Sequence, residues 1–340
     1  MPRGRAWTFD FFGEMRSMNT RTRLLLCGWL ALGCAVASPV RADLLFVSNV
    51  GTGVIDEVTP QGKVSTFAKG FQGSESLTFF KGNTAFVSST GPGIGTGSIS
   101  EMTLTSKANT LAIGMNGPIG SAFDAKGNLF VADQNSNTIF KVTPGGTVST
   151  VASKLGNGLT FLAFDSKGNL FASTAHGIDE ITPNGKLTTV VPGKALNYPT
   201  GMAFDSKGNL FVANSGNGTI SEVTPGGKVS LFASGFSNPQ GLAFNSRGDL
   251  FVANMGTNIH NGTISEVTPD GKVSTFVSGG LNFPRGLAFE TPLAPGGGTI
   301  SGFGGGAAPE PSSVILMGLG LGGLVSSCWL RRRSIALAVK

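Results

Sequence analysis

Residues 201–240 read GMAFDSKGNLFVANSGNGTISEVTPGGKVSLFASGFSNPQ. Four short apolar runs, MAF, LFVAN, TISEV and VSLFA, are separated by the turn-forming SKGN, SGNG and PGGK. Apolar residues alternating with polar ones, bounded by Gly, Asn, Asp and Pro, are the pattern of short half-buried strands and their hairpin turns. Loops this short join only neighbours, so the unit is four antiparallel strands. It recurs along the chain. The Phe of its AF pair stands at Phe123, Phe164, Phe204, Phe244 and Phe289, and a degenerate copy, LTFFKGNTAFVSS, places Phe79 upstream. A four-stranded unit repeating at about forty residues predicts an all-β fold made of propeller blades.

Cutting the chain at these repeats leaves two half-blades. LLFVSN (44–49) lacks a first strand, and GLAFE (286–290) lacks a second. Pairing the two completes the first blade from both chain ends and removes the free sheet edges of an open array. Full units then run 77–119, 120–159, 160–200, 201–240 and 241–285. With the shared blade this predicts a six-bladed propeller at 43–292, followed by a Gly/Pro-rich linker at 293–308.

Composition agrees with a chain of tight turns: 52 residues are Gly and only 13% are charged. The formal net charge of +6 invites a nucleic-acid partner, but the basic residues sit at the ends. Of 25 Lys and Arg, six lie in 1–42 and four in 309–340, and of 19 acids, Asp10, Glu14 and Glu310 lie there. The remaining 15 bases and 16 acids give 43–308 a net charge of about −1, so no phosphate-binding footprint is expected.

Residues 1–42 read as a signal peptide. Arg21 and Arg23 precede the apolar run 24–36, and Val40-Arg41-Ala42 offers small residues for cleavage after Ala42. The aromatic-rich WTFDFF before Met18 does not suit such a segment, which suggests a true start at Met15 or Met18. A lipobox at Leu32-Gly33-Cys34 is the alternative, with Ala31 where Leu is usual. Cys27, Cys34 and Cys328 all lie outside the repeats, so the repeat body has no disulfide, reactive thiol or thiolate metal site.

The units resemble NHL repeats, whose signature reads here as GMAFDSKGNLFVAN (201–214). The resemblance covers 43–290 and is most specific in the last four units. It implies a toroidal six-bladed scaffold with a central channel and binding surfaces on its loop faces. It implies no reaction, because this fold carries many functions.

Within a blade, the short AF strand is expected innermost, with the AF phenylalanines forming core between blades. The DxKGN runs at 124–128, 165–169 and 205–209 look superficially like calcium loops. They lack further carboxylates and a terminal bidentate Glu, so each reads as a Gly-tipped hairpin whose Asp bonds its own backbone. Candidate binding residues lie where the second-to-third-strand loops meet the links between blades. One set stands just before the position at the start of each AF strand that is a turn glycine in most units: Glu75, Ile119, Thr160, Thr200, Gln240 and Arg285. The other ends each second strand: Asn49, Ser89, Asp133, Thr174, Asn214 and Asn254. Asn49, Glu75, Asp133, Asn214, Asn254 and Arg285 are the polar members most suited to a ligand. Together they form a mild polar rim, with no converging metal-ligand set and no cofactor expected.

An enzyme is the competing reading. Calcium-dependent lactonases and streptogramin-type lyases are propellers that place Glu, Asn, Asp or His on this face, and Glu75, Asn49, Asp133 and Asn214 imitate a lactonase ligand set. The histidines are His176, in the shortened loop AHGID, and His260, in the longer loop MGTNIHNGT. Neither has an adjacent carboxylate to orient a base, apart from Asp179 three residues after His176. The loop aromatics that would stack on sugar are Phe71, Tyr198, Phe236 and Phe283, and the two that precede Pro are open to being covered.

The C-terminal stretch 309–340 is the most specific. Pro309-Glu310-Pro311 is followed by an uncharged run, 312–330, long enough to cross a bilayer, and by Arg331-Arg332-Arg333, which would stay on the cytoplasmic side. This resembles the PEP-CTERM sorting signal of Gram-negative bacteria, read by an exosortase-type protease, although seven residues follow the arginines. A plain single-pass anchor is the alternative. The sequence as a whole predicts an exported protein with an inner-membrane intermediate, sorted to the cell surface or extracellular matrix. Its expected role is a binding or scaffold module, with exopolysaccharide or a matrix protein as partner.

Overall fold

The structure, a computed structural model, describes residues 43–80, 84–103 and 108–290. The expected signal peptide, the linker and the sorting segment with its membrane helix lie outside these residues.

Six four-stranded antiparallel sheets form a six-bladed β-propeller. Blade 1 contains β1 (Leu45–Asn49), β2 (Val54–Val58) and β3 (Val64–Lys69), and blade 2 contains β4 (Ser74–Phe80), β5 (Thr84–Ser89), β6 (Gly97–Thr103) and β7 (Asn109–Met115). Blade 3 contains β8 (Pro118–Phe123), β9 (Leu129–Asp133), β10 (Thr138–Val142) and β11 (Val148–Ala152). Blade 4 contains β12 (Leu162–Phe164), β13 (Leu170–Thr174), β14 (Gly177–Ile181) and β15 (Leu187–Pro192). Blade 5 contains β16 (Pro199–Phe204), β17 (Leu210–Asn214), β18 (Thr219–Val223) and β19 (Val229–Ser234). Blade 6 contains β20 (Pro239–Phe244), β21 (Leu250–Asn254), β22 (Gly262–Val267) and β23 (Val273–Leu281). The last strand, β24 (Pro284–Phe289), returns to blade 1 and pairs with β1, in the order β24-β1-β2-β3.

The seam is fully hydrogen-bonded. Leu45 faces Phe289, Val47 faces Leu287, and the Glu290 N–H donates to the Leu44 carbonyl at 2.9 Å. Among the described residues, 43–290 thus contain both partners of every strand pair and all six blade contacts.

Burial falls from the axis outward. The inner strand β16 and the second strands β1, β17 and β21 are buried along their whole length, whereas the outer strand β11 is almost wholly exposed. The alternation in LFVAN had suggested half-burial. Both faces of this strand are covered because a neighbouring blade packs on each side.

The AF phenylalanines are core between blades, and each has a partner that the repeat pattern did not single out. The second-strand phenylalanine of one blade meets the inner-strand phenylalanine of the next at every interface. The pairs are Phe46–Phe79, Phe86–Phe123, Phe130–Phe164, Phe171–Phe204, Phe211–Phe244 and Phe251–Phe289. Centroids are 4.9 to 5.2 Å apart and the rings are steeply inclined, the edge-to-face geometry that the ring quadrupoles favour.

The glycine expected to turn the chain before each inner strand does something else. Gly201 lies within β16, where an added Cβ would run into the Gln240 carbonyl of the next blade. A Cβ at Gly286 would come within 2.9 Å of Ser76 Cα. Glycine is needed here for close packing of inner strands around the axis. In blade 4 the same position is Phe161, which is 1% exposed and belongs to an apolar cluster with Ile119, Leu77 and Leu287 of other blades.

Candidate functional site

Second-to-third-strand loops and inter-blade links meet at one end of the ring. At the ends of the second strands, the amides and carboxylate turn inward. Asn49 Oδ1 accepts the Asn282 N–H at 3.1 Å, and its Nδ2 donates to Asp56 Oδ2 at 2.9 Å. Asp133 Oδ2 accepts the N–H groups of Asn116 at 2.6 Å and Gly117 at 3.3 Å, and its Oδ1 accepts the Ser136 hydroxyl at 2.8 Å. Asn214 Oδ1 accepts the Asn197 N–H at 3.0 Å, while Nδ2 donates to Ser221 Oγ at 2.9 Å and Thr219 Oγ1 at 3.2 Å. Asn254 Nδ2 makes the equivalent bonds to Ser265 and Thr263, and its Oδ1 is buried without a partner among the described residues.

Each side chain therefore satisfies a backbone N–H of the incoming link that would otherwise be buried unpaired, or clamps the third strand. The solvent-facing rim expected at Asn49, Asp133, Asn214 and Asn254 is a set of buried internal clamps.

The inner set is also buried, apart from Arg285, which is half-buried. Thr200 Oγ1 donates to the Pro239 carbonyl at 3.0 Å, Thr160 and Ser173 hydroxyls lie 2.8 Å apart, and Gln240 Nε2 donates to Asn238 Oδ1 at 2.8 Å. Glu75 and Arg285 come together as an ion pair across the junction of blades 2 and 1. Burial pushes the Glu75 carboxyl above its usual range, and the Arg285 charge and hydrogen bond only partly oppose this. Arg285 Nε is buried without a partner among the described residues.

His176 and His260 are exposed in their loops, on blades 4 and 6. Asp179, the carboxylate nearest His176 in sequence, instead accepts the Thr189 hydroxyl at 2.6 Å. Among the described residues, no three His, Cys, Asp or Glu side chains are grouped to hold a metal ion. In the DxKGN hairpins, Asp124 Oδ1 accepts the N–H groups of Lys126 and Asn128, and Asp165 and Asp205 repeat this. In blade 6 the roles swap: Asn245 Oδ1 accepts from Arg247 and Asp249, and its Nδ2 donates to Asp249.

The aromatics on this face divide sharply. Phe71 and Phe236 are buried, Phe283 is half-buried, and Tyr198 is 74% exposed. The signal in the sequence was the recurring Asn-x-Pro at Asn116-Gly117-Pro118, Asn197-Tyr198-Pro199 and Asn282-Phe283-Pro284. It places Tyr and Phe where a sister blade has Gly.

Residues 196–222 match the NHL repeat, and residues 307–333 match the PEP-CTERM protein-sorting motif. Among solved structures, the chain is similar to a streptogramin B lyase at 16% identity and TM-score 0.54, covering 75% of this chain and 96% of that one. It is similar to a catalytically inactive virginiamycin B lyase from Staphylococcus aureus with quinupristin, at 15% identity and TM-score 0.54, covering 74% and 92%. A protein of unknown function from Bacteroides caccae aligns at 16% identity and TM-score 0.55, covering 74% and 100%. No curated protein sequence matches it. At such identities the likeness shows the fold alone. The chain is thus an exported six-bladed propeller carrying an NHL repeat and a PEP-CTERM sorting signal. That signal implies processing by an exosortase and membrane-anchored sorting in a Gram-negative bacterium.

Proposed function

We propose that the protein is a binding or scaffold module outside the cell, sorted to the surface or matrix, with exopolysaccharide or a matrix protein as its partner. The observation that carries this reading is the sorting motif at 307–333 on the same chain as a closed propeller. The propeller offers a rigid loop face, on which the buried Asn49, Asp133, Asn214 and Asn254 clamps and the Glu75–Arg285 pair fix the links in place. Nucleic acid is a poor partner for a body of near-zero net charge. The signal peptide at 1–42, the linker at 293–308 and the helix at 312–330 complete the same export route.

The lactonase or lyase alternative draws on the fold that this chain shares with the lyase structures. It lacks support from the loop face, where both histidines are exposed and neither is bonded to a carboxylate among the described residues.

The test follows the protein through the cell. In a host with the sorting protease, the parent should leave the inner membrane and co-fractionate with extracellular polysaccharide. Glu310→Ala should insert and stay in the inner membrane. A parent protein that is released but never associates with polysaccharide or matrix protein would contradict the reading.

A further inference from the structure

Each link ends in a residue that turns the chain into the next inner strand. In blades 2 and 4 this residue is glycine with positive φ, Gly73 at +63° and Gly158 at +77°. The entries to blades 5 and 6 and to the closing strand of blade 1 are Tyr198 at +51°, Asn238 at +54° and Phe283 at +53°, each followed by proline. Asparagine tolerates this left-handed conformation, but tyrosine and phenylalanine are outliers there. Such strain persists where the surroundings over-determine it, and it concentrates at ligand clamps.

Tyr198 is fixed on both sides. Its carbonyl accepts the Ser215 N–H at 3.1 Å and the Ser215 hydroxyl at 3.0 Å, and the neighbouring Asn197 carbonyl accepts the Gly216 N–H at 3.2 Å. The ring lies on Gly216, where an added Cβ would sit 2.7 Å from Tyr198 Cδ2. A ring held against backbone at Cδ2 and otherwise largely exposed is a preorganised platform.

The surroundings are polar and uncharged. Residues 195–200, 215–218 and 235–240 contain no Asp, Glu, Lys or Arg. The loop of blade 5 is held between two links, because the Gly218 carbonyl accepts the N–H groups of Gly235 and Phe236. Asn217 Oδ1 accepts the Thr219 hydroxyl and Asn238 Oδ1 accepts Gln240 Nε2, which leaves both Nδ2 groups as donors. A protein partner would want a contiguous apolar patch. A single ring flanked by amides suits a pyranose, whose C–H face stacks on the aromatic while its hydroxyls accept from the amides.

We propose that Tyr198 is the stacking platform of a neutral saccharide site over the loop of blade 5, with Asn217 and Asn238 as hydrogen-bond donors. The proposal deepens the binding reading above and rests on it.

The protein supplies its own reporter. Tyr198 is the chain's single tyrosine, and Trp7, Trp29 and Trp329 all lie outside 43–290. Tyrosine emission from the 43–290 propeller therefore comes from Tyr198 alone. The probes are cellohexaose, N-acetylchitohexaose and exopolysaccharide purified from the parent bacterium. A saturable change in emission is expected with at least one of them. Tyr198→Asn, which keeps the left-handed backbone comfortable, should weaken binding by about tenfold or more without lowering thermal stability. Tyr198→Phe, followed by calorimetry, should bind within about threefold of the parent. If a polysaccharide binds with unchanged emission and equal affinity for Tyr198→Asn, the site is wrong while the binding reading stands. If none of the probes is retained, the saccharide site falls and with it the exopolysaccharide half of the binding reading, leaving only the matrix protein.

Discussion

Blades 5, 6 and 1 are built differently from blades 2, 3 and 4. Every outer strand contains a bulge opposite its third strand, and in every blade but blade 3, where Val151 is exposed, the extra residue packs with the rings of that interface. In blades 5, 6 and 1 it is Phe232, Phe276 and Phe67, each with its ring 4.8 to 5.1 Å from the second-strand phenylalanine of its own blade. In blades 2, 3 and 4 it is Leu111, Val151 and Val190. In the first arc the bulge residue adds a third ring to every junction; in the second, the junctions of blades 3–4 and 4–5 have ring pairs, and the junction of blades 2–3 takes its third ring, Phe80, from the inner strand. At the junction of blades 2 and 3 the shortfall leaves a cavity of about 250 Å³ lined by Leu111, Phe80, Phe86 and Phe123. Here Phe80 instead stacks on Phe123 at 4.7 Å.

The richer arc is also the one that contains the seam between β24 and β1. At that seam no short loop holds neighbouring strands together, so closure must come from pairing and packing. The same arc carries the left-handed Tyr198, Asn238 and Phe283 at its inner-strand entries, where blades 2 and 4 use glycine. Left-handed non-glycine residues also occur in blade 3, at Asn137 and Lys154, but the two left-handed aromatics, Tyr198 and Phe283, both lie in the richer arc.

The largest effect should come from breaking the seam. A chain ending at Arg285 loses most of β24 and exposes the whole edge of β1. It should aggregate or lose its cooperative unfolding transition in calorimetry. A soluble, cooperative, monomeric product would show that the arc needs no closure.

Single rings should rank the two arcs next. Phe211 touches both Phe232 and Phe244, whereas Phe171 pairs with Phe204. Each alanine substitution should cost about 3–5 kcal/mol, with Phe211→Ala the costlier by about 1 kcal/mol in denaturant unfolding. Leu111→Phe, which extends into the cavity, should stabilise by about 0.5–1 kcal/mol and make the poorer arc resemble the richer one. Equal costs, with no gain at Leu111, would dissolve the distinction.

The smallest effect is electrostatic, at the boundary between the arcs where Glu75 of blade 2 meets Arg285 of the closing strand. Burial raises the Glu75 pKa above its usual 4.5, so the folded state holds this proton more tightly than the unfolded state. Its contribution to stability is therefore fully present below that usual value and is lost as pH rises through the raised value. Asp56, raised first by burial against the hydrogen bonds of Thr66 and Asn49, acts in the same direction. Glu75→Gln should flatten the rise in melting temperature on mild acidification and leave the Asp56 part. An unchanged slope would mean that Glu75 is not the group responsible.

Much of this architecture was legible in the repeats. The AF phenylalanines, the hairpin aspartates and the two half-blades at 44–49 and 286–290 fixed blade number and closure, because each follows from local pattern and counting. The second-strand phenylalanines were overlooked because LFVAN reads as ordinary alternation until a neighbour covers both faces. The burial of the rim residues is hidden in the sequence for a related reason. Asn49, Asp133, Asn214 and Asn254 look like surface residues in sequence, but they sit where link N–H groups must be satisfied. The exposure of Tyr198 depends on a backbone angle that the Asn-x-Pro pattern only hints at.

The measurement that bears most directly on the account is hydrogen–deuterium exchange of the 43–290 propeller with and without the parent exopolysaccharide. Ligand protection is expected at 196–198, 215–218, 235–238 and 280–283, the loop face of blades 5, 6 and 1, with 116–117 and 153–159 unchanged. Protection confined to the links of blades 3 and 4, or none anywhere, would contradict it.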